Sequence, residues 1–143
     1  MSSQLLPDVN VWVALHHQVH EHHKRALAWF EGLDTEHTLV FCRQTQIGFF
    51  RLLTTDAVMG DEVLTQRQCW TLYRQWISGG KATLENESAT VSQAFEQRTM
   101  ADASSPKEWM DAYLAAFAET AGIQLVTFDR ALAAKVRGAV LLG

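Results

Sequence analysis

Residues 105–129 read SPKEWMDAYLAAFAETAGIQLVTFD, and two signals in that stretch decide the fold class. Ser105 followed by Pro106 opens a helix, because serine suits the N-cap and proline the first helical position. The helix runs to about Ala121, and Gly122 is its stop. Gln124–Phe128 is then a short, strongly apolar strand, closed by Asp129. A helix feeding straight into a buried strand is half of a βαβ unit. The same alternation recurs on either side. Leu5 and Leu6, with Pro7 at the end, read as a first strand, and Val11–His16 as a short helix. A helix follows over His20–Glu31 with Gly32 as its stop, then a β-rich run over His37–Cys42. Gln46–Leu53 and Leu64–Ile77 carry helical periodicity, Thr83–Glu85 suits a short strand and Thr90–Met100 a helix. Arg130–Val136 is a further short helix and Ala139–Leu142 a last strand. The pattern predicts one α/β domain over residues 1–143, a three-layer α/β/α sandwich around a mainly parallel sheet.

Composition limits what such a domain does. With 48% hydrophobic and 20% charged residues, the 143-residue chain suits a single globular core rather than a disordered segment. No apolar run approaches the roughly 18 residues a membrane helix needs, and the start lacks the basic and apolar stretches of a signal peptide. The two cysteines, Cys42 and Cys69, have no metal or redox spacing. Free thiols in the cytoplasm are the expectation. A net charge of −4 argues against gripping nucleic acid with a broad basic surface. It leaves room for an enzyme that holds a short stretch of RNA with metal ions and a few arginines.

The carboxylates point to chemistry. Asp8 closes the first strand and Asp129 the Gln124–Phe128 strand, so both fall at carboxyl ends, where open α/β sheets place their sites. Asp111 lies in the first turns of the strongest helix, with Leu114 and Ala118 three and seven residues on. It therefore lies on or beside the inward face, where a carboxylate is costly unless paired or bound to metal. Each aspartate also suits a plain structural role: Asp8 or Asp129 as an N-cap, Asp111 at the positive end of its helix. Together they form an all-oxygen set suited to Mg²⁺ or Mn²⁺.

Four segments carry a family resemblance. LLPDVNVWVAL (residues 5–15), TQIGFFRLLT (45–54), SPKEWMDAYLAAFAETAG (105–122) and LVTFDRAL (125–132) resemble, in order and spacing, the four motifs of PIN domains, and in particular of VapC-type toxins. The resemblance implies a PIN fold, an acidic cluster binding one or two Mg²⁺ or Mn²⁺ ions, and endoribonuclease activity. It also implies a homodimer and a cognate antitoxin that blocks the site. By motif, Asp8, Asp111 and Asp129 are the metal-binding acids, and Asn10 and Thr127 match supporting polar positions. Where PIN domains usually carry glutamate this chain has Gln46. Its amide is isosteric but neutral, which implies weaker metal binding and a weak-ligand or supporting role. Glu108, three residues before Asp111, adds charge to the rim or simply favours its helix start.

A carboxylate-held cation acidifies water and neutralises phosphoryl charge, which is what phosphodiester hydrolysis needs. No serine, cysteine or histidine constellation offers a covalent nucleophile. Arg43, Arg51 and Arg130 are candidates for phosphate contact, or else surface or antitoxin-facing charge. Trp12 suits core packing better than base stacking. His16, His17, His20, His22 and His23 read as a solvated rim, with antitoxin contact second. Two other readings compete. Gln46 favours a PIN scaffold that binds RNA or a partner without cutting. DVNVW (residues 8–12) loosely suggests the aspartyl-nucleophile loop of haloacid-dehalogenase phosphatases. That class wants an acid where this chain has Asn10, and Lys107 is poorly placed as its lysine.

Overall fold

The computed structural model describes residues 3–143. The chain alternates as β1 (Gln4–Pro7), α1 (Val9–His16), α2 (His23–Glu31), β2 (Thr38–Phe41), α3 (Arg43–Leu53) and α4 (Asp56–Met59), then a 3₁₀ turn at Gly60–Glu62. It continues through α5 (Gln66–Ser78), β3 (Ala82–Leu84), α6 (Val91–Thr99), α7 (Glu108–Ala121), β4 (Gln124–Thr127), α8 (Arg130–Ala133) and β5 (Val140–Leu141). The strands form one sheet in the order β3-β2-β1-β4-β5. Every pairing is parallel, including Leu5 with Leu39, Leu6 with Leu125 and Val126 with Val140. The sheet is thus wholly parallel where the sequence indicated mainly parallel.

Both faces of this sheet are buried, and successive strand residues divide between them. Leu5, Leu39, Phe41 and Val126 join a core with Trp12, Phe49, Leu53 and Tyr73, supplied by α1, α3 and α5. Leu6, Val40 and Leu125 join a second core with Leu114, Ala115, Phe117 and Leu132, supplied by α7 and α8. Trp12 anchors the first core. It is fully buried and stacks on Phe41 at 4.0 Å between ring centroids. It belongs to the packing and not to a base-stacking surface.

Element boundaries differ from the sequence reading where tertiary bonds compete with local signals. The first helix begins at Val9 instead of Val11, directly behind Asp8, so the turn out of β1 is as short as it can be. Helix α2 begins at His23, because turns at His17–His20 and His20–His23 hold the preceding residues. Helix α3 begins at Arg43, ahead of Gln46. The Cys42 N–H donates to Thr45 Oγ1 at 3.0 Å, and that hydroxyl donates back to the Cys42 carbonyl. Helix α7 begins at Glu108, since Ser105–Lys107 form a turn in which the Glu108 N–H donates to the Ser105 carbonyl. Ser105 therefore supplies a carbonyl rather than a side-chain cap. At the other end Gly122 adopts the left-handed conformation (φ 68°) that stops a helix with little strain.

Helix α3 crosses α1 closely at Gly48. A Cβ there would stand 2.8 Å from Val9 Cγ2, and a β-branched side chain in a helix has little freedom to retreat. Gly48→Ala is expected to destabilise the fold by about 1–2 kcal/mol through this overpacking. Urea unfolding would show it as a lower midpoint at unchanged slope.

Candidate active site

The strand order creates one switch point. From β1 the chain moves to β2 on one side, and β4 later pairs on the other. Crevices at the carboxyl ends of strands flanking such a point are where parallel sheets hold their ligands. Asp8 follows β1 and Asp129 follows β4, so two of the aspartates meet across this crevice.

A hydrogen-bond chain fixes them. The Asp8 N–H donates to the Val126 carbonyl at 2.8 Å and continues the ladder between β1 and β4. Thr127 Oγ1 donates to Asp8 Oδ2 at 2.9 Å, and the same oxygen accepts the Asp129 N–H at 3.0 Å. One buried threonine therefore sets the position of both acids. Asp8 occupies the N-cap position of α1, but its side chain makes no cap bond there and turns to Thr127. Asp129 divides its oxygens: Oδ1 caps α8 by accepting from Ala131 and Leu132, and Oδ2 faces Lys107 Nζ at 3.2 Å. The capping role foreseen for Asp129 coexists with a place in the cluster.

Asp111 enters from the first turn of α7 and is 92% buried, at 8% exposure. Its Oδ2 is buried and accepts no hydrogen bond; Lys135 Nζ stands 3.7 Å away. Burial pushes its carboxyl above the ordinary range despite the pull of Lys135, and Asp129 and Glu108 add to the rise. Burial likewise raises Asp8, more than Thr127 and the Val9 N–H lower it, with Asp111 and Asp129 as further repulsive charges. For Asp129 the hydrogen bonds from Leu132, Lys107 and Ala131 outweigh its desolvation, and its carboxyl falls below the ordinary value. Asp8 thus feels the charge of both other acids, and Asp111 that of Asp129.

These residues fit a hard divalent cation. The donors are all oxygen, burial raises the carboxyls of two of the acids, and one buried oxygen lacks a donor. Among the described residues, no group of three or more acidic, histidine or cysteine side chains is drawn together closely enough to hold a metal ion as it stands.

The other expected residues lie as follows. Gln46 is buried, and its hydrogen bonds go to Arg43 (2.5 Å) and the Tyr73 hydroxyl rather than to an aspartate. Asn10 is exposed on the first turn of α1. Arg51 and Arg130 are exposed, and Arg51 lines a groove of about 730 Å³ with Ile47, Phe50, Trp70 and Arg74. The histidines are not a solvated rim. His16 donates from Nδ1 to the Trp12 carbonyl and accepts at Nε2 from the Trp76 indole, so it is neutral, and burial lowers its pKa. Buried His17 pairs with Glu62, His23 bonds the Ala14 carbonyl, and His22 stacks on Phe128 at 4.3 Å. Both cysteines are free and buried. No described helix is long and apolar enough to cross a membrane.

Two site residues escaped the sequence reading. Lys107 figured only as a misplaced phosphatase lysine, and Lys135, which also pairs with Glu108 at 3.0 Å, not at all. Neither carries a local signal: the first reaches Asp129 across 22 positions, the second Asp111 across 24.

Comparison with known proteins follows the same lines. The PIN domain family model matches residues 5–138. The chain belongs to the PIN domain family. It is 37% identical over 131 residues to ribonuclease VapC41 of Mycobacterium tuberculosis, covering 89% of this chain and 90% of that one. Ribonuclease VapC44 of the same organism is 32% identical over 134 residues, covering 90% and 87%. Among solved structures, M. tuberculosis VapC20, a sarcin-ricin loop cleaving toxin, superposes with a TM-score of 0.63 at 16% identity, over 91% of this chain and 93% of that one. The FitAB complex bound to a DNA fragment gives 0.60 at 16% identity, over 96% and 93%. At that identity the structures show a shared fold, and the PIN architecture agrees with the parallel sheet described above.

The raised carboxyls carry a stability cost with a definite sign. A folded-state pKa above the unfolded value of 3.8 favours folding below pH 3.8, and that contribution is lost as pH rises through the folded value. Asp111→Asn in this PIN domain is therefore expected to raise Tm by a few degrees at pH 7 without divalent ions. The gain should shrink as pH is lowered towards 4, which thermal melts across that range would measure.

Proposed function

We propose that the protein is an endoribonuclease that hydrolyses RNA phosphodiester bonds as the toxin of a toxin–antitoxin pair. The observation that carries this reading is the Asp8–Thr127–Asp129 chain at the sheet's switch point, with the buried, unpartnered oxygen of Asp111 beside it. Its relatives named as ribonucleases, at 37% and 32% identity over most of both chains, support the same reading.

In this reading Asp8, Asp111 and Asp129 hold Mg²⁺ or Mn²⁺. The cation, when bound, supplies acidified water and neutralises charge on the phosphoryl oxygens. The chain's own residues do the rest. Thr127 keeps the Asp8 carboxylate pointed across the crevice, and the α8 N–H groups hold Asp129 ionised. Gln46 acts at one remove, by holding the Arg43 guanidinium. Asn10, exposed on the first turn of α1, is assigned a supporting polar role beside the acids. A homodimer and a protein antitoxin that covers the acidic crevice belong to the same reading, as does the cytoplasm, where buried free thiols such as Cys42 and Cys69 persist.

The test is cleavage of total RNA by purified protein with Mg²⁺ or Mn²⁺, with chelator, and with Asp8→Asn prepared identically. Loss of a cation ligand removes several kcal/mol of transition-state stabilisation, so cleavage by Asp8→Asn should fall about a hundredfold or more. Equal cleavage by wild type and Asp8→Asn would sink the assignment. Growth arrest that survives Asp8→Asn would instead favour a scaffold that acts by binding alone. Because the Gln46 amide is engaged by Arg43 and Tyr73, Gln46→Glu should pair with Arg43 and leave the Mn²⁺ affinity within about twofold. Isothermal titration would measure it.

A further inference from the structure

The acidic crevice contains its own cations, and their placement is built. Lys135 Nζ lies 3.0 Å from Glu108 Oε1 and 3.7 Å from Asp111 Oδ2, the buried oxygen that accepts no hydrogen bond. The lysine is anchored at its other end too. Arg98, from α6, donates to the Lys135 carbonyl at 3.0 Å while pairing with Glu119 on α7. Its side chain is about three-quarters buried, unlike an ordinary surface lysine. Lys107 contributes a second, exposed ammonium on Asp129.

Counting charge in the crevice decides what these lysines do. When all are ionised, Asp8, Asp111, Asp129 and Glu108 bring four negative charges, and Lys107 and Lys135, paired to them, bring two positive ones. Two negative charges remain uncompensated, which is the charge of one divalent ion and not of two. A second ion would have to share Asp111 with an ammonium already 3.7 Å from it. Glu108 gives that ammonium a second carboxylate, 3.0 Å away.

We propose that Lys135 is a built-in cation of the acidic site: it takes the place of a second metal ion and, from its seat beside Asp111, contacts the RNA phosphate at the cleavage point. The proposal rests on the ribonuclease reading for its substrate, but not for its metal count.

Two measurements test it. Mn²⁺ titration of the intact protein should give one ion per chain. Lys135→Met should bind that ion about tenfold more tightly, because a repelling charge a few ångströms away is gone. Lys135→Arg, which keeps the charge, should bind as wild type does. The second measurement is binding of a fluorescent single-stranded RNA in an Asp8→Asn background with Mg²⁺ at several salt concentrations. Adding Lys135→Met should weaken binding severalfold and reduce the salt slope by about one phosphate contact; Lys135→Arg should restore both. The inference is overturned if wild type takes two ions, if Lys135→Met binds Mn²⁺ equally or more weakly, or if the salt slope does not change. The Arg variant guards against a fold defect, since one shared by both variants would show as equal losses and also overturn the proposal. Wild-type protein that neither cuts nor binds RNA fails the ribonuclease reading instead, and leaves the one-ion result standing on its own measurement.

Discussion

The parallel pairing of β1 with β4 is the constraint on which the site depends. It brings residue 8 beside residues 126–127, more than a hundred positions away in the chain, through the Asp8 N–H to Val126 bond and the Thr127 hydroxyl to Asp8 bond. Everything acidic is hung from that seam. Asp129 follows it by one turn, and α7, which feeds β4 through Gly122, carries Asp111 to the same end of the sheet. A shift of one residue in this register would exchange the two faces of β4. Leu125 and Val126 would change cores, and Thr127 would no longer reach Asp8.

The two apolar cores secure that register from both sides. On one face Trp12, Phe41, Phe49 and Tyr73 form an aromatic cluster, and on the other the alanines of α7 let its backbone lie close to the sheet. Burying both faces contributes the large apolar term that a charged crevice then draws on. Burial raises the carboxyls of Asp8 and Asp111 above their ordinary range, and neighbouring acids add to the rise, so the folded state carries a local electrostatic cost. Strain of this kind is tolerable only where the surrounding packing over-determines the backbone.

Charge in the crevice is balanced by more than the aspartates. Lys107 and Lys135 approach from the two ends of the α7–β4–α8 unit, while Gln46, neutral where the family usually has glutamate, is withdrawn to Arg43 and Tyr73. The departure at position 46 and the presence of two ammonium groups have a common electrostatic sense. Each leaves less net negative charge in this part of the molecule than a glutamate at position 46 and no lysines would. The family model matches residues 5–138, and relatives named as ribonucleases match nearly the whole chain.

By itself the sequence determined the alternation of strands and helices, the Gly122 stop, and the placing of Asp8 and Asp129 after β1 and β4. These follow from local chemistry: apolar periodicity, a glycine free to turn left-handed, and polar residues closing apolar runs. The three acids were legible for the same reason, and because their motifs recur in family order. Other features were settled only by tertiary structure. The histidine-rich stretch looks solvated, yet His16 and His17 are fixed by Trp76 and Glu62, 60 and 45 positions away. The opening of α7 at Glu108 rather than Pro106 is a turn preference that outweighs a strong local start signal. Lys135 meets Asp111 only because β4 and α8 fold back over α7. Periodicity reads neighbours three or four residues apart; a charge pair across a sheet has no period, and only the packed chain brings it together.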